Sequence, residues 1–454
     1  MQTERTIEDF CANEYKKFAL YTIENRAIPS VIDGFKPTAR KVAYIANEIW
    51  KTGNEKPQKV FQLSGQVAAK AFYHHGDASL SATIITMAQD FKNSMPIFEQ
   101  DGQFGTLRSP EPGAPRYIGV KFNKNFRLLY KDFDLVENQY EEGEKIEPRF
   151  FLPIIPTVLL NGSSGIAVGF ATNILNRNPL NLIEACLLTL KEKEIGQELL
   201  IPWIKGFSGK FIQDSDNKKS WVIFGRYEVK NTSTVQVDEI PPDYTYEKYE
   251  NILNRLEEEG IISSYEDFSS GKVNYQIKFT RQSLDEYIKK QKLNAVLKLI
   301  SKETENFTTL DEYGNLKIFN SAEEIIKYFV NFRLNFYQKR KDKIILNLET
   351  QIKQYNRRLK FIKDIISHKI EVNNIKKEII VNRMIELEYE KENNSYDYLL
   401  NMPIHTLTED RIIEIENNIQ KKEDELTEIK KKTPKEMYVS DLNELKSAIS
   451  KEYK

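Results

Sequence analysis

Between Gly314 and Pro403 the chain contains neither glycine nor proline. So long a run without a helix breaker leaves extended helix as its natural state. Ile345, Leu348, Ile352, Tyr355, Leu359 and Ile362 recur in it at spacings of three and four, the seam of a coiled coil. A second arm follows, carrying Ile412, Ile415, Ile419, Leu426 and Ile429. Between the arms, YDYLLNMPIHTLT supplies a proline-containing reversal with aromatic and apolar residues. The pattern predicts a long antiparallel coiled coil within residues 321–454. An exposed apolar tip asks for a partner, so the tip is a candidate dimer contact; a helical hairpin closed on itself is the alternative reading.

The remaining sequence is long enough for further cores, and 454 residues predict two to four domains. Net charge is -1, yet the segment from Arg26 to Lys131 holds 15 Lys/Arg against 8 Asp/Glu. A basic segment in a near-neutral chain fits a face for a polyanion. Two cysteines, Cys11 and Cys186, and four histidines argue against a disulfide framework, a zinc cluster or any other metal site. The N-terminus MQTERTIEDF has no apolar signal core, and no run reaches the ~18 apolar residues of a membrane span. A cytoplasmic location, with no membrane association, is expected.

Residues 6–25 read as an opening helix with Phe10, Phe18 and Tyr21 on one side, ended by Pro29. After the Asp33-Gly34 turn, Pro37 suits a first helical position, and Val42, Ile45 and Ile49 give the next helix an apolar stripe. Arg40 and Lys41 are expected opposite that stripe and Lys36 at the helix entrance, where a phosphate would dock. A helix over about 62–71 leads into His74-His75-Gly76-Asp77, with Asp77 as N-cap of a helix buried through Leu80, Ile84, Met87 and Phe91. Helix, turn, helix and then short glycine-rich strands predict a winged helix-turn-helix. Past the RSPEPGAP loop stands Arg116-Tyr117. A phenol of ordinary pKa about 10 attacks a phosphate poorly unless cations stabilise it. Arg116 can grip two phosphate oxygens and His75 can lend a proton, so Tyr117, Arg116 and His75 form a candidate phosphoryl-transfer set.

FLPIIPTVLLNGSSGIAVGFATNI is apolar and glycine-spaced, but no Gly-Lys-Ser/Thr follows, which excludes a nucleotide-binding P-loop. A tight turn between buried strands is the reading from residues alone. From about 179 to 320 the pattern is mixed α/β: WVIFGRYEV, TVQVDEI and KVNYQIKFT as strands, EKYENILNRLEEEG as a helix, and Val273, Tyr275, Ile277 and Phe279 on one strand face. No catalytic constellation is visible there.

The order YHHGDASL, QDGQFGT, PRYI, preceded by RAIPSVIDGFKPTARKVAYI, resembles the breakage-reunion core of type IIA DNA topoisomerases. Paired histidines and a proline before Arg-Tyr look more like the eukaryotic and T-even-phage branch than bacterial gyrase. The resemblance runs from about Tyr15 to Ala448. It implies an α+β multidomain chain: a winged-helix DNA-cleavage domain over 1–150, an α/β tower over 151–320, and a coiled coil forming a homodimer exit gate over 321–454. It implies Tyr117 as nucleophile, with Arg116, His75 and Arg26 as catalytic partners. Lys36, Arg40, Lys41 and His74 are implied as DNA contacts, and Ile166 as a wedge that bends the cut duplex. The family's metal-binding fold carries a Glu-Gly-Asp-Ser-Ala stretch before an Asp-x-Asp. Here Asp132-Asp134 and Asp214-Asp216 lack that stretch, and no ATPase domain is recognisable. The chain is therefore expected to be the breakage-reunion subunit of a divided enzyme, with Mg²⁺ and ATP both held by a large partner subunit. The assembled enzyme would pass one duplex through a 5′-phosphotyrosine break in another, by relaxation or decatenation, in the host cytoplasm if phage-encoded. A tyrosine recombinase and a non-catalytic DNA-binding scaffold are the rival classes.

Overall fold

The computed structural model describes residues 6–51, 56–73, 76–392, 394–403 and 408–453. The chain divides into two compact units, Met1–Arg333 with Val439–Lys454, and Leu334–Tyr438.

In the first unit the opening segment is helical from Ile7 to Ala27, with π-helical turns at Cys11–Tyr15 and Ile23–Ala27, and Thr6 caps it by accepting from the Asp9 N–H. The expected helix is there, but Phe10, Phe18 and Tyr21 face outward. Helix α1 (Pro37–Ile49) begins with proline at its first turn and buries Val42 and Ile45. At its end Trp50 packs edge-on against Phe98 and Phe122. Strand β1 (Gln58–Lys59) leads straight into α2 (Val60–Lys70), which buries Val60, Leu63 and Val67. Helix α3 (Asp77–Ala88) buries Leu80, Ile84 and Met87 as predicted. Gly76 takes the N-cap and Asp77 the first helical turn, and the helix stops before Phe91.

Strands β2 (Phe98–Asp101) and β3 (Gly119–Phe122) complete an antiparallel sheet of order β1-β3-β2, in which Gly119 stands between Lys59 and Asp101. A hairpin of β4 (Ser163–Ile166) and β5 (Ala171–Ile174) follows. The apolar, glycine-spaced pattern predicted a buried turn here, whereas the hairpin end is open and Ile166 is 87% exposed. Gly165 is required, because a Cβ there would sit 2.2 Å from the Ala27 carbonyl oxygen.

The stretch WVIFGRYEV is two strands rather than one. Ser220–Phe224 joins Lys210–Gln213 and Ile300–Thr304, while Arg226–Val229 begins a four-stranded sheet with Thr234–Glu239, Tyr275–Lys278 and Ser264–Asp267. Gly225 makes the change of sheet: its N–H donates to the Leu299 carbonyl, and a Cβ would meet the Glu239 carbonyl at 2.4 Å. The helix Tyr246–Glu258 packs on the larger sheet, where Tyr249 and Leu253 meet the predicted face of Val273, Tyr275, Ile277 and Phe279.

The helix Ala322–Ile366 runs from the first unit into the second. Within the second unit it pairs antiparallel with Glu409–Lys431, as Glu349 bonds Lys430 and Lys363 bonds Glu416. Ile362, Ile415 and Ile419 are buried between these helices, against Ile352, Tyr355 and Leu359. Tyr396 and Leu399, expected in an exposed apolar tip, instead close over Phe361, Ile370, Met384 and Tyr389 in a core of their own.

Candidate active site

Tyr117 stands in a turn over residues 115–117, immediately before β3. Its side chain is 70% exposed, and the Arg116 guanidinium lies 5.9 Å from the ring centroid. The turn is held from inside: Val60 N–H donates to the Ile118 carbonyl at 3.0 Å and Phe61 N–H to the Pro115 carbonyl at 3.1 Å. Helix α2 thus satisfies orphan donors of its first turn on the loop that carries the tyrosine. Gly113 N–H reaches the Gln103 carbonyl, and Gly105, at φ +82°, lets the QDGQFGT loop fold against Pro110.

The loop before Tyr117 is anchored by a residue that the sequence pattern did not single out. Arg108 is buried and donates to the carbonyls of Pro241, Tyr244 and Ile240 and to Glu239, whose other oxygen accepts from Ser208 N–H and hydroxyl. Its only sequence signal is an arginine inside a Pro/Gly-rich loop.

Arg26 and Lys36 line a cleft of about 880 Å³ together with Tyr73, Lys92, Asn93 and Asn176. Arg26 is exposed, while Lys36 is partly buried and donates from Nζ to the Ser164 carbonyl at 2.7 Å, tying the helix entrance to the β4–β5 hairpin. Burial pulls the Lys36 ammonium below its usual range. The structure therefore brings Arg26, Lys36 and the Ile166 hairpin together. Neither Arg116 nor Tyr117 lines that cleft.

Arg40 does not stand on an open face. It is 8% exposed and bonded in a fork to Asp33, Nε to Oδ2 at 2.8 Å and an Nη to Oδ1 at 2.9 Å. Burial opposes its charge, but Asp33 outweighs that and holds the guanidinium above its usual range. Asp33 also accepts from the N–H groups of Phe35 and Phe151, so the Asp-Gly turn is a buried hub. Lys41 is likewise engaged, with the Ala71 carbonyl at 2.6 Å and Glu147 at 3.1 Å. His74 and His75 lie outside the described residues.

Several cations of the basic segment are spent on carboxylates: Lys121 on Glu99, Lys124 on Glu452, Lys131 on Asp441 and Glu444. Among the described residues, Arg26, Lys36, Lys59, Lys92 and Arg116 have no carboxylate at ion-pair distance, which leaves their charge for a polyanion. No three His, Cys, Asp or Glu side chains among the described residues group to hold a metal ion. Asp132 pairs with Arg333, and Asp214 with Lys302. These donor sets do not fit Mg²⁺, which wants several clustered oxygens in octahedral geometry.

Residues 26–445 match the family model of the DNA gyrase/topoisomerase IV breakage-reunion chain, the A-type polypeptide of those enzymes. Mitochondrial DNA topoisomerase 2 of Dictyostelium discoideum is 31% identical across 99% of this chain, which spans 35% of that protein. The DNA topoisomerase medium subunit of Enterobacteria phage T4 is 31% identical across 97% of this chain and 99% of its own length. The crystal structure of the Plasmodium falciparum topoisomerase II DNA-binding, cleavage and re-ligation domain superposes with a TM-score of 0.85 at 30% identity, covering 97% of this chain and 64% of that one. The class these matches define is the type II DNA topoisomerases. Within it, the chain belongs to the DNA gyrase/topoisomerase IV A-type family.

Proposed function

We propose that this chain is the breakage-reunion subunit of an ATP-dependent type II DNA topoisomerase, an isomerase that cuts one duplex, lets another pass and reseals the first. The observation that carries the reading is the Arg116-Tyr117 turn: an exposed phenol on a backbone pinned to helix α2, beside an unpaired guanidinium. The Tyr117 oxygen attacks a backbone phosphorus and the bond to the 3′ oxygen breaks. The phenol gives up its proton as the 3′ hydroxyl takes one, and a 5′-phosphotyrosine link forms. One phosphodiester replaces another, so the 3′ hydroxyl can reverse the step without an energy source. Arg116 holds the phosphate oxygens as charge develops, His75 supplies a proton or hydrogen bond, and Arg26 assists.

Helices α2 and α3 with the β1-β3-β2 sheet act as a winged helix-turn-helix in residues 1–150. Residues 151–320 act as a tower under the DNA, and residues 321–454 as a coiled-coil dimer gate. Lys36 and His74 contact DNA directly, and Ile166 is the wedge. Buried Arg40 and engaged Lys41 act on DNA through the segment they brace rather than by gripping phosphate. Two copies cut opposite strands. Type II topoisomerases use Mg²⁺ and ATP; both are assigned to a large partner subunit, in the cytoplasm of the cell or phage host. The near full-length match to the T4 medium subunit supports this division.

The test is denaturant-quenched cleavage of circular duplex DNA with Mg²⁺, with and without the partner, and with Tyr117→Phe alongside. Protein-linked linear DNA that needs the partner and vanishes in the variant is expected. Cleavage without a partner would favour a recombinase-like transesterase, and binding without cleavage under any condition would favour a scaffold.

A further inference from the structure

The chain segment that ends β1 and opens α2 does more than border the tyrosine turn. Three consecutive residues, 59 to 61, hold three of the four carbonyls of residues 115 to 118. Phe61 N–H takes Pro115, Val60 N–H takes Ile118, and the Lys59 ammonium takes the carbonyl of Tyr117 itself at 2.7 Å. Lys59 is also the N-cap of α2, with no side-chain capping bond, since an ammonium has nothing with which to accept the helix N–H groups. A serine or aspartate would cap this helix better. The side chain is instead turned onto the neighbouring loop.

The sheet makes the reach possible. Lys59 pairs with Gly119, two residues beyond Tyr117, and Gly119 has Asp101 on its other flank. A Cβ on Gly119 would meet Asp101 Oδ2 at 2.9 Å and the Gln58 carbonyl at 3.2 Å, so glycine lets β1 lie close against β3. Lys59 makes no ion pair with Asp101 or with another carboxylate among the described residues, and its ammonium bonds the tyrosine's backbone.

We infer that Lys59 is a positioning residue for Tyr117: its ammonium fixes the peptide plane behind the tyrosine and thereby the point from which the phenol meets the phosphate. The inference rests on the reading of Tyr117 as nucleophile. Placing a nucleophile within a fraction of an ångström carries much of a transfer rate, and a shift of about 1 Å costs on the order of a hundredfold.

The experiment uses the complete enzyme with its partner, Mg²⁺, and a duplex with a bridging 3′-phosphorothiolate at a site mapped with the unaltered protein. The sulfur leaving group makes cleavage irreversible, so the single-turnover rate at saturating DNA reports positioning and the dissociation constant reports binding. Lys59→Met is expected to slow cleavage about tenfold to a hundredfold with DNA affinity and melting temperature unchanged. Lys59→Arg, which keeps a charged donor, is expected to recover most of the rate. A Lys59→Met enzyme that cleaves at full rate overturns the inference. So does one whose affinity and salt dependence fall while the saturated rate holds, which would make Lys59 a phosphate contact. A drop in melting temperature that the arginine variant shares, without recovery of rate, would make it merely structural. Tyr117→Phe run in parallel separates the two readings: cleavage by that variant would sink the nucleophile assignment itself, whereas an inert Tyr117→Phe beside a fully active Lys59→Met sinks only the role of Lys59.

Discussion

Arg40 and Tyr117 show how differently two residues of one basic segment can be used. Both stand in stretches that carry the family resemblance, but one is buried against a carboxylate and the other is offered to solvent. Truncating Arg40 leaves Asp33 buried with its fork of donors gone, and breaking such a pair typically costs about 3–5 kcal/mol. Arg40→Met is therefore expected to lower the melting temperature markedly while leaving the salt dependence of DNA binding by the folded fraction unchanged. A direct phosphate contact would instead reduce the slope of log affinity against log salt by about one. Arg116→Ala should do the reverse, with unaltered melting, a bound duplex and strand cleavage slowed by about two orders of magnitude or more. Tyr117 and Arg116 were legible in the sequence because a tyrosine and an arginine past a Pro/Gly loop are a local pattern. The burial of Arg40 was not: helical spacing placed it opposite the apolar stripe, and the carboxylate that draws it inward sits in a turn whose fold is a tertiary fact.

At the scale of elements, periodicity was the legible part. The alternation from Val273 to Phe279, the stripe of α3 and the long breaker-free helix all stand where predicted. The illegible parts were points where one backbone presses on another. Gly225 splits an apparently continuous strand because it passes within van der Waals contact of Glu239, and Gly165 does the same at Ala27. The open β4–β5 hairpin gives Ile166 a position from which it touches little of its own protein. Ile166→Ala should leave stability within about 0.5 kcal/mol and reduce DNA bending, read as a loss of energy transfer between dyes at the ends of a bound duplex. Unchanged bending would remove the wedge role. Arg108 makes the opposite case. It joins the tyrosine loop to the strand ending at Glu239, so Arg108→Met is expected both to destabilise the fold by about 3–5 kcal/mol and to slow cleavage, measured by melting and by single-turnover assay on the same preparation.

For the whole molecule, the near-zero net charge conceals a division of labour. Most acidic partners of the N-terminal cations are internal braces, and the cations left over cluster on the cleft and around the tyrosine turn. The Asp-x-Asp strings are spent on Arg333 and Lys302, which is why the metal is assigned to a second polypeptide. The tip core formed by Tyr396 and Leu399 was unreadable beforehand, since an apolar run looks the same whether it faces a partner or folds over its own neighbours. The central claim is that Tyr117 becomes joined to the 5′ end of each cut strand. Cleavage trapped on a duplex labelled on both strands, followed by nuclease and protease digestion and mass spectrometry of the nucleotide-bearing peptide, tests it directly. The predicted result is a 5′-phosphoryl nucleotide on the peptide containing Tyr117, recovered from both strands; a nucleotide on another residue, or one joined through its 3′ phosphate, would contradict it.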